Sequence, residues 1–267
     1  MRAVLDGQVA VVTGATTGIG RGIAVALARA GARVVVGDII RLPKDGSYDE
    51  RPDLSTAELI AEIGGSATFV ECDVTQSSAV SGAVDAAVSS FGRLDIMVNN
   101  AGIFTRLETI VDQSEEDYDL TMAVNAKSVW LGCKFALRQM LQQEPLPGRS
   151  RGRVINIASA AGVSGLPLEP AYCASKGAVL ALTRQLAVDF GPHGIGVNAI
   201  MPGPIQTAMT RPALEDPETV ARFRQATPFS RLGTADDIAA AAVFLAGDGA
   251  AFINGAAIAI DGGATAR

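Results

Sequence analysis

Seven short runs rich in Val and Ile set the tightest limit on what this chain can fold into. They are QVAVVT (8–13), RVVVGD (33–38), ATFVEC (67–72), LDIMVN (94–99), RVINIAS (153–159), GVNAIM (196–201) and AIAID (257–261). Their apolar residues are nearly continuous rather than alternating. That is the pattern of strands buried on both faces of a parallel sheet. Longer helix-like stretches lie between them, and their start signals are legible. Ser55 with Glu58 forms a capping box, Ser114 precedes an acidic turn, and Thr234 precedes Asp236 and Asp237. Strands alternating with helices predict an α/β fold: a doubly wound sheet of seven mainly parallel strands with helices on both faces. With 267 residues, 48% of them hydrophobic, the chain can bury a large core. No linker or repeat interrupts it, so residues 1–267 are read as a single domain.

The glycine-rich turn VVTGATTGIG follows the first strand and opens a helix. Gly14, Gly18 and Gly20 allow close backbone approach where free N–H groups and the helix dipole favour a pyrophosphate. The second strand ends on Asp38, 18 residues after Gly20. An acid at that place accepts hydrogen bonds from the ribose hydroxyls of NAD and repels the 2′-phosphate of NADP. NAD(H) is therefore the expected cofactor and NADP(H) the less favoured one. Arg21 and Arg41 are the cations best placed for a 2′-phosphate. If Ser55 caps the next helix, residues 39–54 form a 16-residue loop. Loops of that length are often functional or disordered. It is read here as a mobile surface loop, with a lid over the adenosine end of NAD as the alternative.

Bulk properties exclude several classes. The net charge of −6 argues against a broad surface for nucleic acid. Cys72, Cys133 and Cys173 are far apart and odd in number, so they suggest neither a metal pair nor a disulfide framework and fit a reducing cytoplasm. No apolar run approaches the ~18 residues of a membrane span, and no signal peptide is evident. His193, the single histidine, sits in the turn GPHGIG and is given no catalytic or metal role. Trp130 is read as helix packing.

The stretch YCASK places Tyr172 and Lys176 four residues apart, on one side of a helix. A cation beside a phenol favours the phenolate, and bringing a pKa of ~10 to ~7 requires about 4 kcal/mol. An exposed ion pair cannot supply that; a sheltered one with an oxidised nicotinamide nearby can.

These features together resemble the short-chain dehydrogenases/reductases over nearly the whole chain. The resemblance rests on TGATTGIG (13–20), CDV (72–74), NNAG (99–102), Asn125, Ser159, YCASK (172–176), MPGPIQT (201–207) and DGG (261–263). It implies a Rossmann-type fold, a homotetramer and a set of roles. Tyr172 resembles the general acid/base. Ser159 resembles the residue that hydrogen-bonds the substrate oxygen. Lys176 would lower the Tyr172 pKa and bind the nicotinamide ribose. Asn125 would anchor a water linking Lys176 to solvent.

Cofactor contacts carry over in the same way. Gly14, Gly18, Ile19 and Gly20 resemble the pyrophosphate turn, and Asp73 and Val74 the adenine contacts. Asn99, Ala101 and Gly102 line the ribose side, with a structural role for Asn99 also in view. Pro202, Gly203, Ile205 and Thr207 resemble the carboxamide clamp. Ile103, Phe104, Ala160, Ala161, Val163, Leu166 and a loop over 204–226 are the expected substrate walls. Mostly apolar, they suit a small or alicyclic secondary alcohol or ketone. Arg106 and Arg211 are the candidates for an anionic substrate group. The enzyme alternative is a 3-oxoacyl-thioester reductase; the alternative from another class is a non-catalytic NAD sensor or scaffold. No metal site is expected.

Overall fold

The computed structural model describes residues 3–266. Its seven strands are β1 (Val9–Thr13), β2 (Arg33–Asp38), β3 (Ala67–Glu71), β4 (Ile96–Asn99), β5 (Gly152–Ile157), β6 (Ile195–Pro202) and β7 (Ala257–Ile260). All pair in parallel, in the order β3-β2-β1-β4-β5-β6-β7. The order reverses between β1 and β4. A crevice opens at such a switch point beyond the carboxyl ends of the strands.

Alternate strand residues explain the layers. Ala10, Val12, Val34, Val36, Ile96 and Val98 face helices α1 (Gly18–Arg29) and α9 (Ala235–Ala246). Val9, Val11, Val35 and Met97 face the opposite layer, with α3 (Ser77–Phe91), α5 (Ser128–Leu141) and α6 (Pro170–Phe190). Both faces are covered, which is why the runs lack alternation. Each fully buried Val or Ile contributes about 1.5–3 kcal/mol relative to exposure.

The helix-start signals act as expected. Ser55 and Glu58 cap α2 (Thr56–Glu62) reciprocally. Ser114 Oγ accepts from the Asp117 N–H at the head of α4 (Glu115–Met122). Asp237 accepts from the Thr234 N–H at 2.8 Å before α9.

Some element bounds differ from the expectation, as with β5, which ends at Ile157 rather than Ser159. β4 starts at Ile96 rather than Leu94, because the Asp95 carboxylate accepts the Val9 N–H at 2.9 Å in place of a backbone carbonyl. Segment 204–226 is not simply a loop. It folds into α7 (Arg211–Leu214) and α8 (Pro217–Ala226), and Asp216 caps α8 through the Glu218 and Thr219 N–H groups. The helix that Ser114 opens gives way after Met122 to a π-helical turn over Ala123–Lys127, which leads into α5. Residues 39–54 do lack helix and strand. No helix among the described residues is long and apolar enough to cross a membrane.

Candidate active site

The expected site residues come together at the carboxyl ends of β1, β2, β4, β5 and β6. Ser159 lies just past β5, where its Oγ accepts from the Ala161 N–H at 3.1 Å and caps a 3₁₀ turn over Ala160–Gly162. The Tyr172 phenol stands in the first turn of α6, near enough to Ser159 for that hydroxyl to favour the ionised phenol. Lys176 follows one turn later. The residue is 3% exposed, and its ammonium donates to the Ile157 carbonyl at 3.0 Å and lies 5.6 Å from the Tyr172 ring centroid. With one acceptor among the described residues, it keeps donor capacity for a ligand.

Burial dominates the electrostatics of the pair in the free protein. Burial pushes Tyr172 up to about 12, against a downward pull from the Ser159 hydroxyl and a further push from Glu169. Lys176 is itself lowered to about 8 by burial. The apolar surroundings disfavour both charges. The free protein therefore holds the phenol neutral.

Asn125 sits in the π-helical turn, fully buried. Its Oδ1 accepts the Ile103 N–H at 2.8 Å, and its Nδ2 donates to the Ile103 carbonyl at 3.0 Å and to Ser175 Oγ at 3.3 Å. The side chain thus braces the segment after NNAG. The wide turn aims it there, as π-bulges often do at functional sites.

The glycine turn has the shape a dinucleotide needs. Gly14 and Gly18 have φ of +62° and +57°, which favours glycine. A Cβ on Gly14 would lie 2.8 Å from Ala101 Cα, and one on Gly18 would lie 3.3 Å from Thr207. The turn thus packs closely against both the NNAG segment and the stretch after β6. A Cβ on Gly102 would lie 3.6 Å from Lys176 Nζ and 3.4 Å from Asn125 Oδ1. Ile19 and Gly20 complete the first turn of α1. Pro202 ends β6, with Gly203, Ile205 and Thr207 just beyond. Asp73 and Val74 follow β3; Asp73 is exposed and Val74 buried. These groups fit a dinucleotide: helix-start amides at one end and a buried cation at the other.

Asp38 stands at the cleft rim, partly exposed. Its Oδ2 accepts from Thr16 N at 3.0 Å and its Oδ1 from Ile39 N at 2.8 Å. Oδ1 also accepts from Ile40 N at 3.4 Å, so it is Oδ2 that retains a lone pair for a hydroxyl. Arg21 does not stand free for a phosphate. It is buried and donates to the Glu50, Arg51 and Leu54 carbonyls and to Thr56 Oγ1. Arg41 lies over the Phe69 ring. Asn99 directs its amide away from the cleft, to Asn156 Oδ1 at 2.8 Å within a buried network that continues to Thr183.

Of the expected substrate walls, Phe104 stacks at a tilt on Tyr172 with ring centroids 4.0 Å apart. Ile103 and Ala160 are partly buried, and Ala161 is buried inside the 3₁₀ turn. Val163 and Leu166 are exposed on the segment leading to α6. Arg211 is tied to the Gly46 carbonyl and Glu215, while Arg106 is exposed. Trp130 is 48% exposed rather than packed, with Lys134 over its ring.

Sequence reasoning missed Glu169. It is partly buried at the N-cap of α6, its Oε2 has no hydrogen-bond partner among the described residues, and burial raises its pKa to about 7. Its place one turn before Tyr172 was the available signal. Asp49 was missed as well. Its carboxylate accepts from Thr17 Oγ1 and the Gly18 N–H, and nothing in its sequence context marks it.

A family model described as enoyl-(acyl carrier protein) reductase matches residues 14–265. The chain belongs to the short-chain dehydrogenase/reductase family. D-threitol dehydrogenase of Mycolicibacterium smegmatis is 39% identical over 98% of this chain and 95% of its own length. Cyclopentanol dehydrogenase of Comamonas sp. is 36% identical over 98% and 99%. A crystal structure of a putative 2-deoxy-D-gluconate 3-dehydrogenase from Agrobacterium tumefaciens with bound NADP superposes with a TM-score of 0.86. It is 38% identical and covers 100% of this chain and 99% of that one. As a member of this family with such relatives, the chain is a secondary-alcohol oxidoreductase with a nucleotide-cofactor dehydrogenase fold.

Proposed function

We propose that this protein is an NAD(H)-dependent dehydrogenase/reductase that interconverts a small or alicyclic secondary alcohol and its ketone, with Tyr172 as general acid/base. One observation carries the reading: a buried phenol near Ser159 and a buried lysine one helical turn on, with a glycine turn of positive φ at the carboxyl end of β1. A bound nicotinamide supplies or accepts the hydride. The neutral Tyr172 donates its proton to the carbonyl oxygen in reduction and takes it back in oxidation. Ser159 holds that oxygen and stabilises its developing charge. Lys176 directs its remaining donors to the nicotinamide ribose, and its charge favours the phenolate once the oxidised ring adds a second positive charge. Asn125 positions Ile103 and the NNAG floor.

Asp38 supports NAD over NADP, as does the commitment of Arg21 to backbone carbonyls. We expect a preference of about tenfold or more, equivalent to about 1.4 kcal/mol of charge repulsion. The test is initial rates with both cofactors across cyclic alcohols, polyols, diols and ketones. No nicotinamide-linked turnover with any of them overturns the reading. Higher activity with a 3-oxoacyl thioester redirects it to that substrate. Tyr172→Phe separates an enzyme from a sensor: NADH binding persists while turnover falls by about 10³-fold or more. Full turnover in this variant refutes the mechanism.

The exposed Trp130 and Leu141 on α5 and Val188 on α6 support a homotetramer built through these helices. A monomer by light scattering at micromolar concentration overturns that.

A further inference from the structure

Residues 39–54 are not a loose surface loop. They form a strap folded back onto the glycine turn. At its start, Thr16 Oγ1 donates to the Ile40 carbonyl at 2.7 Å. Near its end, the buried Arg21 guanidinium donates to the carbonyls of Glu50, Arg51 and Leu54 at 2.9–3.0 Å. On the far side of the cleft, Arg211 of α7 donates to the Gly46 carbonyl at 2.9 Å. Between these anchors Asp49 turns inward. Its Oδ1 accepts the Gly18 N–H at 2.9 Å and its Oδ2 accepts the Thr17 hydroxyl at 2.6 Å.

That position is chemically specific. The twelve-residue α1 has no acidic residue in its first turn and no cap from the Thr17 side chain. The anion that satisfies its N-terminus comes from Asp49, 31 residues along the chain. The same N-terminus is where a dinucleotide places its pyrophosphate. The left-handed Gly14 and Gly18, which keep the turn free of side chains, serve that purpose. A carboxylate and a pyrophosphate at the same amides repel each other and compete for the same donors.

We propose that Asp49 is an internal competitor of the cofactor's pyrophosphate. The strap caps the glycine turn in the free protein, and a dinucleotide must displace the carboxylate to bind. Asp49 thereby sets cofactor affinity and entry rate while standing outside the proton-transfer group. This rests on the dinucleotide reading given under Proposed function.

The experiment measures NADH binding to the full-length protein by titration calorimetry and stopped-flow fluorescence, with wild type and Asp49→Asn compared. The amide keeps the size and an acceptor but removes the charge. The expected result is a Kd lowered by about tenfold, mostly through faster association. ADP-ribose, which carries the pyrophosphate, gains in parallel, while adenosine, which lacks it, binds equally to both proteins. An unchanged Kd for NADH overturns the proposal. So does weaker binding with faster release, which would make the strap a clasp on the bound cofactor. Equal gains for adenosine also overturn it, because the effect would then be on strap folding rather than charge. If wild type binds NADH and the variant gains nothing, only this proposal fails. If neither protein binds NADH or NADPH, the dinucleotide reading fails and takes the proposal with it.

Discussion

Replacing Lys176 with methionine is expected to remove activity and also to change how stability depends on pH. Lys176 is fully buried, and burial lowers its pKa from 10.5 to about 8. A shift of that size withholds about 3 kcal/mol from the folded state wherever the lysine is charged, at about 1.36 kcal/mol per unit. Below pH ~8 both folded and unfolded chains bind the proton, and the full penalty applies. Between ~8 and ~10.5 the folded lysine is neutral while the unfolded one remains charged, so stability rises with pH and the penalty fades. Methionine fills a similar volume without the charge. It also leaves the Ile157 carbonyl without its lysine donor, a cost of about 1–3 kcal/mol that is the same at every pH. The informative quantity is therefore the stability difference between variant and wild type, measured by urea unfolding at fixed protein concentration at pH 7 and pH 10. The variant's standing relative to wild type is expected to fall by about 2–3 kcal/mol across that interval. Titrations common to both proteins cancel. A difference that stays flat within about 0.5 kcal/mol refutes the claim that Lys176 is stored as a desolvated charge.

Glu169→Gln is expected to move the alkaline-favouring pH–rate profile for alcohol oxidation towards acid by about half a unit, because the carboxylate pushes the Tyr172 pKa up. An unmoved profile contradicts that coupling. The same carboxyl, raised to about 7 from 4.5, favours its neutral form in the folded protein. Wild-type stability therefore falls as pH rises from ~4.5 to ~7, and Glu169→Gln flattens that slope in thermal melts. Asn99→Ala leaves Asn156 Oδ1 without its amide donor in a buried network, at a cost of about 2–3 kcal/mol in urea unfolding. NADH affinity of the folded variant is expected to hold. Lost affinity with unchanged stability makes Asn99 a cofactor contact instead.

The sheet was legible in the sequence because burial on both faces leaves uninterrupted Val and Ile runs, and because caps such as Ser55–Glu58 are local chemistry. The Tyr172–Lys176 pair was legible for the same reason, since helix geometry alone puts i and i+4 on one side. The glycine turn was readable from residues that tolerate positive φ. What the sequence could not contain was the outcome of long-range competition for partners. Asn125 spends its amide on Ile103, Arg21 spends its guanidinium on the strap, and Asn99 turns to Asn156, each across tens of residues. The raised pKa of Tyr172 likewise depends on desolvation, which arises only when α6 packs against the sheet. Asp49 is the sharpest case. In sequence it is one acid among many in an irregular loop. Only the fold brings it to the Gly18 amide, because a helix N-terminus accepts any anion the tertiary structure can deliver.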